Sequence, residues 1–490
     1  MEENTERGAH IPSPPPSEQL DVSTTIDPSY IIYLIRQLLP QDKRLKNGSR
    51  GLSTHQNSNE EPQSYHSMNV DDGNKHEVEQ NEPTEMQHDG LKYPVPAATE
   101  DSWEEYGCIL WDLAANQAHA ELMVQNLLVD VLLASLSVAT SARMTEIFLG
   151  IMANLACHDV PRNVMVSTEG LIEKVLEQLF LDDCPSLSET CRLLVVCLQS
   201  SRAIKWINAL ESEPILQRLL WITGNTLNSQ LLEKCVELLL AIADSQIAKP
   251  ILLPPLLRLG LPDILADLLA CEINKISEGK LYDRDTILDL ILQVCEALSV
   301  VQNYSEMLCS NKKLFQLACD VIKLPDIDEV ARSRVTAVVL IANLLSDGPN
   351  RVAEISHDLP FLQGLLDLLP SVSDDSQARH ALWSVLARIL VKVQDADMGS
   401  LYLRQYASVL MRKSDVIIED IIDHNREGEG WECGSNGFTS GPNAKTKSVD
   451  SMLNIFDAWI NSSASAREQD LTKDVERAHK LLRSCMEEQQ

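Results

Sequence analysis

Residues 145–180, TEIFLGIMANLACHDVPRNVMVSTEGLIEKVLEQLF, carry the same apolar stripe twice in succession. Ile147, Phe148, Ile151, Met152, Leu155 and Ala156 share one face of a helix, because residues three and four apart lie on the same side. Asp159 and Pro161 break the pattern, and a short segment runs to Gly170. Leu171, Ile172, Val175, Leu176, Leu179 and Phe180 then repeat the stripe on a second helix. Neither helix can bury its face alone, so the unit requires neighbours.

The chain supplies them. Segments aligned on Leu155 recur at Leu198, Ala243, Leu298, Leu344 and Leu390, in steps of 43, 45, 55, 46 and 46 residues. The best internal match sets residues 150–176 on 339–365, placing Asn154 on Asn343 and Arg162 on Arg351. A period of about 40 to 47 residues with two or three helices each is the armadillo or HEAT pattern. The long step holds a polar insertion at 274–283, NKISEGKLYD, read as a longer loop. The expected fold is all-α: an armadillo/HEAT-like solenoid of about six to seven repeats, with a disordered N-terminal segment.

Residues 1–28 are rich in Pro and Ser and read as a disordered tail. Within them IPSPPPS can adopt polyproline II, and Ser13 stands before Pro14 as a candidate phosphorylation site. Asp27-Pro28 reads as an N-cap followed by Pro at the first helical position. Residues 29–40 then form a short docking helix with Ile31, Leu34, Ile35 and Leu38 on one face. So short a helix is marginal alone and needs a surface, either the solenoid's own end or a partner. Residues 41–99 lack helical period and read as an acidic disordered linker. The solenoid is expected over 100–425, beginning with a helix pair packed through Trp103, Cys108, Trp111 and Leu122. One helix should run from near Met398 through DVIIEDIIDH, followed by a glycine-rich loop at 426–447 and capping helices at 448–490.

Only 4% of residues are aromatic, so Leu, Ile and Val do the packing. No apolar run reaches membrane-spanning length, and the polar, acidic start MEENTERGAH does not read as a secretory leader. The 12 cysteines are accordingly expected as reduced thiols, with Cys157, Cys191, Cys197, Cys235 and Cys295 on apolar helix faces. The net charge of −31 opposes contact with phosphate backbones, so no direct nucleic-acid binding is expected. It suits a basic protein or peptide partner, and equally keeps a long solenoid soluble.

Chemistry-bearing motifs are lacking: there is no CxxC pair, HExxH, GxGxxG before a helix or GxSxG elbow. The glycines of 426–447 lack the Gly-Lys-Ser/Thr that grips phosphate. His158, His357 and His380 are isolated and suit surface or capping roles. No catalytic residue, metal or cofactor is expected. The candidate partner-binding residues are Asn154 and Asn343, because an amide offers two donors and an acceptor to an extended peptide backbone. The other reading is that each bonds the backbone of a neighbouring repeat. Armadillo nuclear-import adaptors, whose repeats these resemble in pattern, pair such an Asn with a Trp four residues earlier. Here those positions hold Gly150 and Val339, and the other Asn-equivalent positions hold Cys197, Ile242, Ala297 and Ile389. A continuous peptide-gripping ladder is therefore not expected.

Residues 108–112 (CILWD), 150–157 (GIMANLAC) and 188–198 (SETCRLLVVCL), in that order, resemble the serum-amyloid-A-like (SAAL) family of armadillo-type proteins. The resemblance is clearest over about 103–244. It implies an intracellular, non-enzymatic protein associated with cell proliferation, nuclear and/or cytoplasmic, with the nucleus favoured. The expected function is a protein–protein interaction scaffold. The alternatives are a nuclear transport adaptor or a subunit of an enzyme complex such as a ubiquitin ligase. Partner identity and oligomeric state stay open at this level.

Overall fold

The computed structural model describes residues 26–39, 100–279, 285–301, 310–325, 328–347, 351–395, 399–423, 444–462 and 469–487, with Tyr304, Met307 and Leu308 besides. The linker at 41–99, almost all of the 1–28 tail and most of the 426–447 loop lie outside the described residues. Every described element is helical. The helices are α1 (Pro28–Gln37), α2 (Glu100–Ala114), α3 (Gln117–Gln125), α4 (Leu128–Val138), α5 (Ala142–Ala156), α6 (Asp159–Ser167), α7 (Leu171–Glu177) and α8 (Cys184–Leu198). They continue as α9 (Ile204–Leu210), α10 (Glu213–Asn225), α11 (Ser229–Asp244), α12 (Lys249–Arg258), α13 (Leu261–Ser277), α14 (Asp285–Ser299), α15 (Lys312–Ile322) and α16 (Asp328–Asp347). The last are α17 (Val352–Ile355), α18 (Leu359–Asp367), α19 (Ser376–Asp395), α20 (Ser400–Arg412), α21 (Ser414–Asp423), α22 (Ala444–Ser462) and α23 (Gln469–Glu487).

One row of long helices, which we term the inner row, runs the length of the described solenoid. In it α2 packs on α5, α5 on α8, α8 on α11, α11 on α14, α14 on α16, α16 on α19 and α19 on α22. A second row stacks beside it, α4 on α7, then α10 on α13, α13 on α15, α15 on α18, α18 on α20 and α20 on α23. Short helices such as α6, α9 and α12 link one repeat to the next. The armadillo-like repeat thus has three helices. The short segment after Asp159 is itself helical, a reading the stripe missed because that helix covers only about two turns.

The register on Leu155 holds throughout: Leu155, Leu198, Ala243, Leu298, Leu344 and Leu390 are all buried between successive layers. Each repeat covers the exposed face of the one before it, as a solenoid requires. The turn into the second-row helix needs a left-handed residue in three units: Gly170 (φ 78°), Gly260 (φ 95°) and Leu127 (φ 62°). Glycine adopts this conformation without cost, whereas Leu127 carries a Cβ into it.

The N-terminal end is closed by α1. Asp27 caps it, accepting from the Ser29 N–H at 2.8 Å. Ile31, Leu34 and Ile35 are buried where α1 meets α2 and α3, and the Ser135 hydroxyl donates to the Leu38 carbonyl at 2.8 Å. The docking helix therefore finds its surface on its own solenoid. At the other end α22 and α23 pack on each other and on α20.

Several expectations need correction. The first unit after Ser102 is three helices, α2 to α4, not a pair. The insertion at 274–283 is partly helical, because α13 continues to Ser277. Residues 400–423 are two helices broken at Lys413, where Ser414 starts a new turn. Residues 444–447, read as loop, open α22, with the Ser448 hydroxyl bonded back to the Ala444 carbonyl at 2.9 Å. Cys157 is exposed at the end of α5, whereas Cys191, Cys197, Cys235 and Cys295 are buried.

Candidate functional site

The inner row presents a polar stripe beside its buried face, and Asn154 lies in it. Its Nδ2 donates to the Trp111 carbonyl on α2 at 2.9 Å, and its Oδ1 accepts from Arg192 Nη1 on α8 at 3.0 Å. Arg192 Nη2 also donates to the Gly150 carbonyl at 3.2 Å, and its guanidinium pairs with Glu189 at 2.6 Å. One amide and one guanidinium thus tie three successive inner helices together. Charge-assisted bonds of this kind are the stronger ones.

Trp111 completes the arrangement. Its indole covers Gly150, so close that a Cβ there would overlap Cε2 and Cζ2. Gly150 stands four residues before Asn154, where import adaptors carry Trp. The aromatic ring at this place comes from the preceding helix instead. His158 follows the same logic at the helix end, its Nε2 lying 3.2 Å from the Ala114 carbonyl.

Asn343 also reaches backward along the row, donating through Nδ2 to the Ser299 hydroxyl at 3.0 Å. The two asparagines lie far apart, with the inner helices α8, α11 and α14 between their own. Their environments differ: Asn154 meets a carbonyl and a guanidinium, Asn343 a hydroxyl. Arg162 and Arg351 are equivalent in sequence, and each is anchored by its guanidinium. Arg162 donates to the Ala156 and Cys157 carbonyls at the end of α5, whereas Arg351 is buried over the Phe315 ring at 4.9 Å.

Between the asparagines the inner row is acidic. On α11, Lys234 bridges Glu233 at 3.0 Å and Glu237 at 2.8 Å. On α14, buried Asp289 accepts from Gln293 Nε2 at 2.8 Å and from the Thr336 hydroxyl of α16 at 2.7 Å. Glu296 has its carboxyl held above the usual range by burial first, then by the charges of Asp289, Asp244 and Asp375. These carboxylates come from three helices or their caps, and no sequence motif joins them. Arg192 and Trp111 were likewise outside the sequence expectation as site residues, although both lie within the segments that carry the family resemblance.

Among the described residues no group of three or more metal-ligating side chains is present. No single helix there is long and apolar enough to cross a membrane, although the bent pair α3 and α4 meets that test of length and composition. In this structure Leu128, Val129, Val131, Leu132 and Leu136 of α4 are buried in the solenoid, and Val138 at its end is exposed. Burial raises the thiol pKa of Cys197 and Cys295 to about 12, while Cys191 rests 3.9 Å from Cys235, sulfur to sulfur.

No family model matches the chain. It is 36% identical to protein saal1 of Danio rerio over 152 residues, which is 30% of this chain and 32% of that one. It is 29% identical to protein saal1 of Xenopus tropicalis over 153 residues (31% and 33%), and 29% identical to protein SAAL1 of Homo sapiens over 140 residues (28% and 30%). The match spans about a third of these relatives' length. Among solved structures, an engineered protein covers 79% of this chain and 97% of itself at 14% identity, with a TM-score of 0.48. A designed armadillo repeat protein covers 51% and 96% at 11% identity, with a TM-score of 0.39. The fold therefore rests on the chain's own helix rows. With those rows and the resemblance over CILWD, GIMANLAC and SETCRLLVVCL, the chain is an armadillo-type relative of the SAAL proteins.

Proposed function

We propose that this protein is a non-enzymatic interaction scaffold whose inner helix row holds a basic segment of a protein partner. The observation that carries the reading is the crowding around Glu296, whose ionisation is opposed by burial and by Asp289, Asp244 and Asp375. A cationic side chain entering this stretch would relieve that repulsion and gain contacts with Glu237 and Glu296, both half-buried. Charge of this kind acts mainly on encounter rate and on choice of partner. The proposed site of this work is the nucleus, in keeping with the family resemblance. A transport carrier finds less support, because the Asn154 and Asn343 amides already bond neighbouring helices.

The test begins with affinity purification and crosslinking of the full chain to identify the partner. Binding to that partner is then measured for Glu237→Lys with Glu296→Lys, beside melting curves. Crosslinks should fall on α8, α11 and α14, and the double reversal should weaken binding at least tenfold while the melting curve shows the protein still folded at the assay temperature. Association should slow between about 50 and 300 mM salt, as the Debye length falls from roughly 14 to 6 Å. A partner that needs only residues 1–99 and ignores salt would refute the reading.

A further inference from the structure

The N-terminal end carries an aromatic patch that the inner-row reading does not use. Helix α1 buries one face on the solenoid, and its other face bears Tyr30 and Tyr33, 43% and 46% exposed. Their rings stack at 6.5 Å with an 18° interplanar angle. Tyr33 then meets Tyr106 of α2 edge-on at 6.1 Å, 81° apart. Three rings from two helices form one continuous ladder. Its apolar faces and phenolic hydroxyls lie at a surface.

A polyproline II segment is the chemistry that fits such a ladder. It is rigid before binding, advances about 9 Å per three-residue turn, and leaves its carbonyls free for phenolic donors. Proline-rich ligands dock on aromatic-lined surfaces for these reasons. The sequence carries a proline-rich stretch shortly before α1: Ile11, Pro12, Ser13, Pro14, Pro15 and Pro16. Pro16 precedes the cap residue Asp27 by 11 positions, which allows a reach of up to about 36 Å. The chain enters α1 beside the ladder, with Ile26 packed on the core and the Tyr30 N–H donating to the Asp27 carbonyl at 2.9 Å. A tether this short holds its ligand at an effective concentration of about millimolar, so even weak docking is populated.

We propose that Tyr30, Tyr33 and Tyr106 form a docking ladder for the protein's own proline segment, residues 11–16. The test uses the full chain labelled with 3-fluorotyrosine. Ladder resonances are assigned through Tyr30→Phe, Tyr33→Phe and Tyr106→Phe. Replacing Pro14, Pro15 and Pro16 together by Ala should shift the ladder resonances and leave those of Tyr402 and Tyr406 in place. A free peptide of residues 9–18, added to that variant at about 10 mM to exceed the tether's effective concentration, should return them toward their original positions. The melting curve should stay unchanged, since no residue of α1 or of the solenoid is replaced. Identical ladder resonances with and without the prolines would overturn the proposal. So would a shift that the free peptide does not reverse. Binding of a foreign proline-rich peptide, with the ladder indifferent to its own prolines, would assign the surface to another protein and refute the intramolecular occupant.

Discussion

The indole of Trp111 occupies the space above Gly150 on the next inner helix, where any Cβ would overlap its six-membered ring. This pair sets how closely α2 and α5 approach. It also presents the Trp111 carbonyl to Asn154. Gly150→Ala should destabilise the protein by about 1–3 kcal/mol, the range for overpacking a core. Combining it with Trp111→Leu should recover part of the loss, because the smaller side chain clears the added methyl. Urea unfolding of the two single variants and the double gives the coupling directly.

The two asparagines should behave differently. Asn154→Ala leaves a guanidinium and a carbonyl without their shared partner, at a cost of about 1–3 kcal/mol. Asn343→Ala removes one bond to Ser299, whose hydroxyl retains the Glu296 carbonyl as acceptor, so about 1 kcal/mol is expected. Melting curves and partner binding on the same variants separate structural from binding roles. If Asn343→Ala weakens binding without lowering stability, its amide faces the ligand.

Leu127 holds a left-handed conformation while 64% exposed, so its side chain contributes little burial against the strain. Gly170 and Gly260 fill the matching turns. Leu127→Gly should therefore stabilise the first repeat, by about 0.5–1 kcal/mol after the greater freedom of glycine in the unfolded chain is subtracted. A lower melting temperature would contradict the assigned turn.

Leu155→Asp sets a carboxylate between layers at a fully buried position, costing several kcal/mol. Because neighbouring repeats support one another, hydrogen exchange should accelerate in α2 and α8 as well as α5. Acceleration confined to α5 would mean that the layers unfold independently.

Glu296 carries a pH dependence of definite sign. Its folded pKa lies above its ordinary value, so the folded state retains the proton longer than the unfolded chain. Its contribution is fully present below the unfolded pKa and is lost as pH rises through the folded one. Glu296→Gln should thus be more stable than the parent at neutral pH, with the difference vanishing below about pH 4. Melting temperatures from pH 4 to 7 test this. An advantage that grows on acidification would reverse the sign.

Much of the fold was legible in the sequence because solenoid packing is local. Each repeat meets only its neighbours, so the stripe on residues 145–180 and its recurrence from Leu155 to Leu390 already determined helix, layer and register. The cap at Asp27 was legible for the same reason, since the side chain bonds its own first turn. Tertiary structure decided what depends on neighbours across a layer. Periodicity placed Asn154 on a helix, but only packing of α2 and α8 brought it the Trp111 carbonyl and Arg192. Only the structure showed that Arg162 bonds carbonyls at the end of α5 and that the Arg351 guanidinium lies buried over Phe315. The carboxylates around Glu296 and the tyrosine ladder join residues tens of positions apart. Their proximity is set by how successive helices stack, which no single stripe encodes.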